Sequence, residues 1–308
     1  MIPKPPPREG SLGFLYLPPY RVQGVSVAGE QTCIMLPELD VCFDMGACPR
    51  AALASKFVAL SHGHMDHIGG LAYWFSQRRF QGMGTGKIVL DARIKPAFEK
   101  MMAGFEELER QKTPYEVEAL EPEGEIEIKN SIWLKGFHTE HTAPSMGYAI
   151  YEKRSKLREE FQGLPQEKLR ELKSRGEEIT KILHIPLIAY LGDTLPGPHL
   201  LRDDVRNAQI IITECTFFEP EHKSRAKIGM HMHVEDIAEW LRVCEFGHCV
   251  VTHVSRRTNL AYARERLDEL LPKNVAERVL LLMDFRNNRA RYEAQAEEAE
   301  RLQAAQSG

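Results

Sequence analysis

The 308-residue sequence lacks several features that would place it outside ordinary globular proteins. It has no run of about 18 or more apolar residues, so no helix is predicted to span a membrane. Its opening residues, MIPKPPPREG, lack the apolar centre of a secretory signal peptide. Its six cysteines form no C-x-x-C pair and no small disulfide framework, which favours reduced thiols in a cytosolic protein. We therefore expect a cytoplasmic location without membrane contact.

An excess of one charge is also missing, because 44 acidic and 40 basic residues give a formal net charge of −4. This weak acidity argues against attraction of nucleic acid to the whole surface, although a local basic patch is compatible with it. With 43% hydrophobic residues the chain can bury a full core, and no internal repeat divides it. We predict a single domain over residues 1–308, ending in a polar C-terminal tail at residues 289–308.

Short apolar segments alternate with helical patterns along the chain, which indicates an α/β or α+β fold. Several predicted strands end in histidine or an acidic residue. These strand-end residues are His62, His64, Asp193, Glu214 and His253. Side chains at strand ends are the usual means by which a sheet builds a convergent site.

One segment differs in composition from the rest. Residues 152–181, EKRSKLREEFQGLPQEKLRELKSRGEEITK, are dense in charges of both signs and poor in apolar residues. We predict that this segment is helical and belongs to a protruding arm over residues 152–185. A solvated helix and an RNA-binding arm are both open interpretations of it.

The densest group of candidate ligands is SHGHMDHIGG, residues 61–70. His62 and His64 share one face if the segment is extended, whereas Asp66 and His67 follow where the chain turns toward a helix predicted from Leu71 to Phe80. The four side chains therefore diverge enough to serve two metal ions. Imidazole and carboxylate suit Zn²⁺ and can also hold Fe or Mn.

HGHMDH resembles the H-x-H-x-D-H signature of the metallo-β-lactamase superfamily, whose fold is a four-layer αββα sandwich. The resemblance implies one divalent ion held by His62, His64, His141 and Asp193, and a second held by Asp66, His67, His253 and Asp193. Asp44 is implied to support the site, and His138 is a rival for the role of His141. Two ions about 3.5–4 Å apart can activate water and stabilise both the attacking and the leaving oxygen.

Three further stretches, PSMGYAIY, TECTF and THVSRR, resemble the short, plant-type ribonuclease Z, an endonuclease that trims tRNA 3′ ends. By this resemblance Asp66 and Glu214 are catalytic, and Glu214 orients His231, which protonates the leaving oxygen. His233 is the rival for that proton donor. The resemblance also implies precursor tRNA as substrate, a homodimer, and an arm that binds RNA. The candidate substrate contacts are Ser255, Arg257, Lys168, Arg170, Lys173 and Arg175.

The sequence departs from the family pattern at two positions near the site. Thr213 stands where a histidine often precedes the glutamate, and Thr258 replaces the tyrosine of the family's S-x-R-Y. Three alternatives therefore stay open. They are a hydrolase of the same fold for a small phosphodiester, lactone or thioester, a metal-bound RNA-binding protein without catalysis, and a redox di-iron protein.

Overall fold

The computed structural model describes residues 12–307, so the segment MIPKPPPREG lies outside the described residues. Two seven-stranded sheets dominate this part of the chain. The first sheet contains β1 (Gly13–Leu17), β2 (Tyr20–Val27), β3 (Gln31–Leu36), β4 (Val41–Phe43), β5 (Phe57–Ala59), β6 (Gly86–Asp91) and β7 (Tyr115–Leu120). The second contains β8 (Glu125–Lys129), β9 (Ile132–Thr139), β10 (Ser145–Leu157), β11 (Thr180–Tyr190), β12 (Ile210–Glu214), β13 (His248–Thr252) and β14 (Val279–Leu281).

Both sheets follow the same plan. Neighbouring strands are consecutive in the chain, the first three pairings are antiparallel, and the last three are parallel. Parallel neighbours need a crossover, and an α- or 3₁₀-helix lies in each of those connections. The two halves thus share one architecture although the sequence shows no repeat.

Most of the helices cover the outer faces of the two sheets. Those in the described part of the chain are α1 (Met65–Ile68), α2 (Leu71–Phe80), α3 (Lys95–Glu109), α4 (Gln166–Ser174), α5 (Asp203–Arg206), α6 (Lys223–Gly229), α7 (Val234–Leu241), α8 (Leu260–Leu270), α9 (Lys273–Ala276) and α10 (Phe285–Ser307). The helix predicted from Leu71 to Phe80 is confirmed as α2. Within residues 12–307, none of these helices has the length and apolar character needed to cross a membrane.

Three apolar clusters define the layers. Between the sheets, Phe43 of β4 stacks on Tyr190 of β11 with ring centroids 4.4 Å apart, inside a cluster fed by both sheets. Trp74 of α2 is buried against the first sheet, and Trp240 of α7 and Leu267 of α8 are buried against the second. Burial of such large side chains on both faces of each sheet stabilises the stack. The order is helix, sheet, sheet, helix, which confirms the predicted αββα sandwich.

The predicted arm is built mainly from strands. β10 pairs with β9 only as far as Glu152, while β10 and β11 remain paired with each other out to Leu157 and Thr180. The ribbon therefore extends beyond the rest of the sheet, and α4, which has no buried residue, lies in the connection at its far end. The expectation of a helical segment over residues 152–181 is wrong except for α4 and a short 3₁₀ turn.

The predicted polar tail forms the outer part of α10. Asn288 anchors its first turns by donating to the carbonyls of Leu281 and Leu282, at 3.0 and 2.9 Å. Further along, Tyr292 packs edge-on against Phe14 of β1. The start of the tail is therefore attached to the first sheet, and its later residues are largely exposed.

Candidate metal centre and active site

The candidate ligands meet at the edge where the carboxyl ends of the parallel strands of both sheets lie. Asp44 follows β4, His62 follows β5, Asp193 follows β11, and His253 follows β13. Asp44 and His253 have positive φ angles of 56° and 53°, which non-glycine residues seldom adopt. Two left-handed residues at one site indicate that the surroundings hold these side chains against a local backbone cost.

Three histidines form the first group of ligand atoms. The Nδ1 atom of His64 lies 3.0 Å from Nε2 of His62 and 3.2 Å from Nε2 of His141. Zinc–nitrogen bonds of 2.0–2.1 Å in tetrahedral geometry would set such nitrogens about 3.3 Å apart. Burial lowers the pKa of both His62 and His141, so these imidazoles are neutral and their nitrogens can ligate a metal.

The second group contains Asp66, His67 and His253. Nε2 of His253 lies 3.2 Å from Oδ2 of Asp66 and 3.4 Å from Nε2 of His67. Burial raises the pKa of Asp66, but the hydrogen bond from His253 and the charge of His67 outweigh it and leave that pKa below its ordinary value. The carboxylate is therefore ionised and can serve as an oxygen ligand.

Asp193 lies between the two groups. Its Oδ2 atom is 3.3 Å from Nε2 of both His67 and His253, and 3.9 Å from Nε2 of His62. Burial raises the pKa of Asp193, but the charges of His253 and His67 hold it well below its usual range. One carboxylate within reach of both groups, together with imidazole nitrogens that face one another, fits a site built for divalent cations.

Asp44 orients His67 of the second group through Nδ1, the ring nitrogen that points away from the other ligand atoms. This buried carboxylate accepts hydrogen bonds from Nδ1 of His67 at 2.7 Å, from the hydroxyl of Tyr190 at 2.5 Å, and from the backbone N–H and hydroxyl of Ser61 at 2.6 and 2.8 Å. With its Nδ1 proton committed to Asp44, His67 presents Nε2 toward Asp193. Such outer hydrogen bonds fix the tautomer of a metal-binding histidine.

Two more partners fix other imidazoles. Nδ1 of His141 donates to the backbone carbonyl of Met230 at 2.9 Å. Nδ1 of His253 lies 2.9 Å from the hydroxyl oxygen of Thr216. In both histidines the remaining Nε2 atom faces the ligand groups, as metal binding requires.

The buried Glu214 and the partly exposed His231 form an acid–imidazole pair beside these groups. Oε1 of Glu214 accepts from Nδ1 of His231 at 2.9 Å and from the backbone N–H of Thr194 at 2.9 Å, while Oε2 accepts from the Thr216 hydroxyl at 2.6 Å. Burial lowers the pKa of His231, but the Glu214 carboxylate outweighs it and raises that pKa to about 9. His231 therefore carries a proton at neutral pH.

The two rival histidines occupy other positions. His138 faces Asp91 at 3.5 Å, outside both ligand groups. His233 is fully buried and uses both nitrogens structurally, because Nδ1 accepts from the backbone of Glu235 at the start of α7 and Nε2 donates to the carbonyl of Glu219. His233 therefore has no nitrogen available for a substrate, whereas His231 has Nε2.

The predicted substrate contacts next to His253 divide into two kinds. The Ser255 hydroxyl accepts from the backbone N–H of Arg257 at 3.3 Å and so shapes the turn. Arg256 forms an ion pair with Glu30, while the guanidinium of Arg257 is exposed and has no acidic partner among residues 12–307. Arg257 is thus the cation of this turn that is available to an anionic ligand.

The four predicted cations on α4 and at its C-cap, Arg175, also differ from one another. Lys168 and Arg175 both pair with Glu171, the former at 2.8 Å. Arg170 and Lys173 have no acidic partner within the described residues. All four lie on the ribbon, away from the ligand groups at the strand ends.

Sequence comparison connects this site with known proteins. A family model described as anti-Pycsar protein Apyc1 matches residues 45–265. The chloroplastic tRNase Z TRZ2 of Arabidopsis thaliana is 33% identical over 275 residues, which cover 87% of this chain and 77% of the relative. The chain belongs to the ribonuclease Z family. tRNase Z TRZ1 of the same plant is 30% identical over 256 residues, covering 82% of this chain and 91% of that protein.

Membership extends to the family described by the Apyc1 model, since the match covers more than half of the chain. Among solved structures, the metallo-β-lactamase-fold protein YhfI of Bacillus subtilis gives a TM-score of 0.60 at 14% identity, covering 88% of this chain and 96% of that one. The short form of human tRNase Z gives 0.53 at 17% identity, covering 89% and 96%. These structures show the shared fold, and ribonuclease Z membership makes the chain a hydrolase of that fold.

Several residues that organise the site were not found by sequence reasoning. Thr194 and Thr216 bind the Glu214 carboxylate, and Thr216 also contacts His253. The position of Thr216 within TECT, two residues after the glutamate, was the available signal. Met230 acts through its backbone carbonyl, so its side-chain identity gave no signal at all.

Proposed function

We propose that this ribonuclease Z family member is a zinc-dependent endoribonuclease with two metal ions that processes tRNA 3′ ends. The observation that carries the proposal is the Glu214–His231 pair, which lies beside two groups of metal ligands and leaves Nε2 of His231 free to meet a substrate. A hydrolase of a lactone or thioester does not need this proton donor. The names of the two Arabidopsis relatives, both tRNase Z, support the same substrate class.

The donor atoms suit two divalent ions joined by Asp193. His62, His64 and His141 would complete one position, and Asp66, His67 and His253 would complete the other. Such ions lower the pKa of water and offset the negative charge of a phosphodiester. Zn²⁺ is the expected ion, and Mn²⁺ and Fe are alternatives for the same donors.

The protein's own contribution to bond cleavage is the proton on His231. Hydroxide adds to phosphorus, the bond from phosphorus to the 3′-oxygen breaks, and that oxygen takes the proton from Nε2 of His231. The products are a 3′-hydroxyl end and a fragment with a 5′-phosphate. Glu214 holds the imidazole by Nδ1 and stabilises its charged form until the proton is transferred.

RNA would be held by cations outside the reacting centre. Arg170 and Lys173 on α4, and Arg257 beside the ligand groups, have no acidic partner in the described part of the chain. Phosphate contacts of this kind supply most non-specific RNA affinity. Lys168 and Arg175 share the single carboxylate of Glu171, so we assign each of them a smaller contribution. A homodimer and a cytoplasmic location remain predictions.

The deciding experiment offers purified protein with added Zn²⁺ or Mn²⁺ a precursor tRNA with a 3′ trailer and, separately, a bis-aryl phosphodiester. Release of the trailer with a 5′-phosphate end is the expected result. No release from RNA, together with rapid hydrolysis of a lactone or thioester, would favour the second class of hydrolase. Hydrolysis of the aryl ester alone would favour a small phosphodiester as substrate. The ion pairs of Lys168 and Arg175 with Glu171 support this alternative, because they leave fewer free cations to bind RNA.

A further inference from the structure

A cavity of about 300 Å³ opens directly beside the proton donor. Its walls are formed by Leu195, Pro196, Lys223, Ala226, Lys227, His231 and Asp236. Ligand pockets in proteins are about 300–1,000 Å³, so this volume suits a group no larger than about one nucleotide. The wall combines apolar side chains with a few charges, the mixture expected for a sugar and base next to a phosphate.

One cation in this wall has no ion-pair partner among the described residues. Lys223 pairs with Glu235 at 2.7 Å, and Asp236 accepts the backbone N–H of His233 at 3.0 Å as part of the cap of α7. Lys227 has no acidic partner among the residues that the structure describes, and it is exposed to solvent. The cavity therefore presents one free ammonium group on the same wall as His231, and the Asp236 carboxylate is engaged in the helix cap, so an anionic ligand can bind at Lys227.

Lys227 is tied to the proton donor through the end of α6. The backbone N–H of His231 donates to the carbonyl of Ala226 at 2.9 Å, and that of Met230 donates to the carbonyl of Lys227 at 3.3 Å. Met230 has a left-handed φ of 55°, which ends the helix. This pattern of bonds is a typical helix C-terminus, so the backbone of Lys227 keeps a fixed distance from His231.

We propose that this cavity binds the nucleotide whose 3′-oxygen departs, and that Lys227 binds the phosphate at the 5′ side of that nucleotide. The inference rests on the proposed function, in which His231 protonates that oxygen, so the sugar that carries it must lie against His231. Leu195, Pro196 and Ala226 then face the sugar and base. The next phosphate upstream meets the only free cation that the described wall provides, and a lysine binds phosphate as a point charge.

The test removes each partner of the proposed contact in turn, the phosphate charge in the RNA and the ammonium group of Lys227 in the protein. Two precursor tRNAs are compared, one natural and one with an uncharged methylphosphonate in place of the phosphate 5′ to the leaving nucleotide. Wild-type protein should cleave the natural RNA about fivefold faster, as expected for one largely exposed charge contact. In Lys227→Met the ratio of the two rates should fall to about one. The slope of log(kcat/KM) against the logarithm of the salt concentration should also become shallower by about 0.7, the value for one phosphate contact on a single strand.

Arg225→Met is the matched control, because Arg225 lies on the same helix, carries the same charge and does not line the cavity. It should keep the fivefold ratio. A rate ratio of about one in both variants would assign the effect to the overall charge of α6 and overturn the proposal. A fivefold ratio retained in Lys227→Met would overturn it as well.

The same experiment separates the cavity from the proposed function. A wild-type protein that cleaves both RNAs at equal rates would leave the endoribonuclease function intact and refute the role of Lys227. A wild-type protein that cleaves neither RNA, yet hydrolyses a bis-aryl phosphodiester, would refute the endoribonuclease function and the inference together.

Discussion

Replacing Glu214 by glutamine tests the proton donor with little structural disturbance. The amide oxygen can replace Oε1 and keep the bonds from Thr194 and His231, both at 2.9 Å. The amide nitrogen then donates to Thr216, whose hydroxyl can turn to the backbone carbonyl of His253, 3.1 Å away. Each buried polar group keeps a partner, so we expect the variant to fold with a small loss of stability.

The chemical effect should be large because the variant loses the charge that holds the proton on His231. The pKa of His231 is about 9 with the carboxylate present. Without it, the charge of Asp193 still raises the pKa of the imidazole, but burial is the larger influence and lowers it, so we expect a pKa at or below the ordinary value of about 6.5. At pH 8 the protonated fraction should therefore fall from about 90% to about 3% or less, a loss of about 30-fold in the active form.

The direction of the pH dependence follows from the same values. Wild-type cleavage of precursor tRNA should decline only as the pH rises through about 9. In Glu214→Gln the decline should begin at about pH 6.5 or lower, so the variant should recover activity as the solution is acidified.

Single-turnover cleavage rates between pH 6 and pH 10 would measure this shift, with thermal unfolding as the check on folding. A bis(p-nitrophenyl) phosphate assay is the internal comparison, because nitrophenolate leaves without needing a proton and its release should fall far less. A pH profile equal to that of the wild type, or equal losses on both substrates at pH 8, would refute the assignment of His231 as proton donor.

Three further predictions concern metal binding and RNA affinity. Asp66→Ala should reduce the metal content measured by mass spectrometry and abolish hydrolysis of the aryl ester, and full activity in this variant would contradict the two-metal mechanism. Dialysis against a chelator should lower the unfolding temperature, because a metal ion at a free concentration of 1,000 times its Kd stabilises the folded state by about 4 kcal/mol. An unchanged unfolding temperature after chelation would contradict a bound metal. Arg170→Ala with Lys173→Ala should weaken precursor tRNA binding in a salt-dependent manner, whereas the ion-paired control Lys168→Ala with Arg175→Ala should change it less. Equal losses in the two double variants would contradict the distinction based on Glu171.

The sequence indicates several of the candidate ligands because His62, Asp193 and His253 each follow a buried strand, and such strands have a clear apolar pattern. The spacing of His62, His64, Asp66 and His67 is compact enough to indicate a metal site by itself. The layer order came from family resemblance. Apolar periodicity shows which face of a strand is buried, but it does not show which strands from distant parts of the chain stack on one another.

The ribbon of β10 and β11 shows where the pattern fails. Its outer residues, such as Arg154 and Lys181, meet water on both faces, so neither a period of two nor a period of 3.6 marks them. Backbone pairing continued from the sheet keeps them extended, with Arg154 opposite Leu183 and Lys156 opposite Lys181. A high density of charges therefore predicts a solvated helix where the chain forms a ribbon of two strands.

The division of the ligands between the halves explains why the compact motif alone could not specify a reaction. The first half supplies His62, His64, Asp66 and His67, a set that can hold metal for many kinds of hydrolysis. The second half supplies the Glu214–His231 pair, and Thr216 joins its carboxylate to His253 through one hydroxyl. In the proposed function the proton donor His231 and the metal ligand His253 thus share a single hydrogen-bonded network, so we expect a shift of one to disturb the other. On that proposal the second-half network selects the reaction, while the motif of the first half supplies candidate metal ligands.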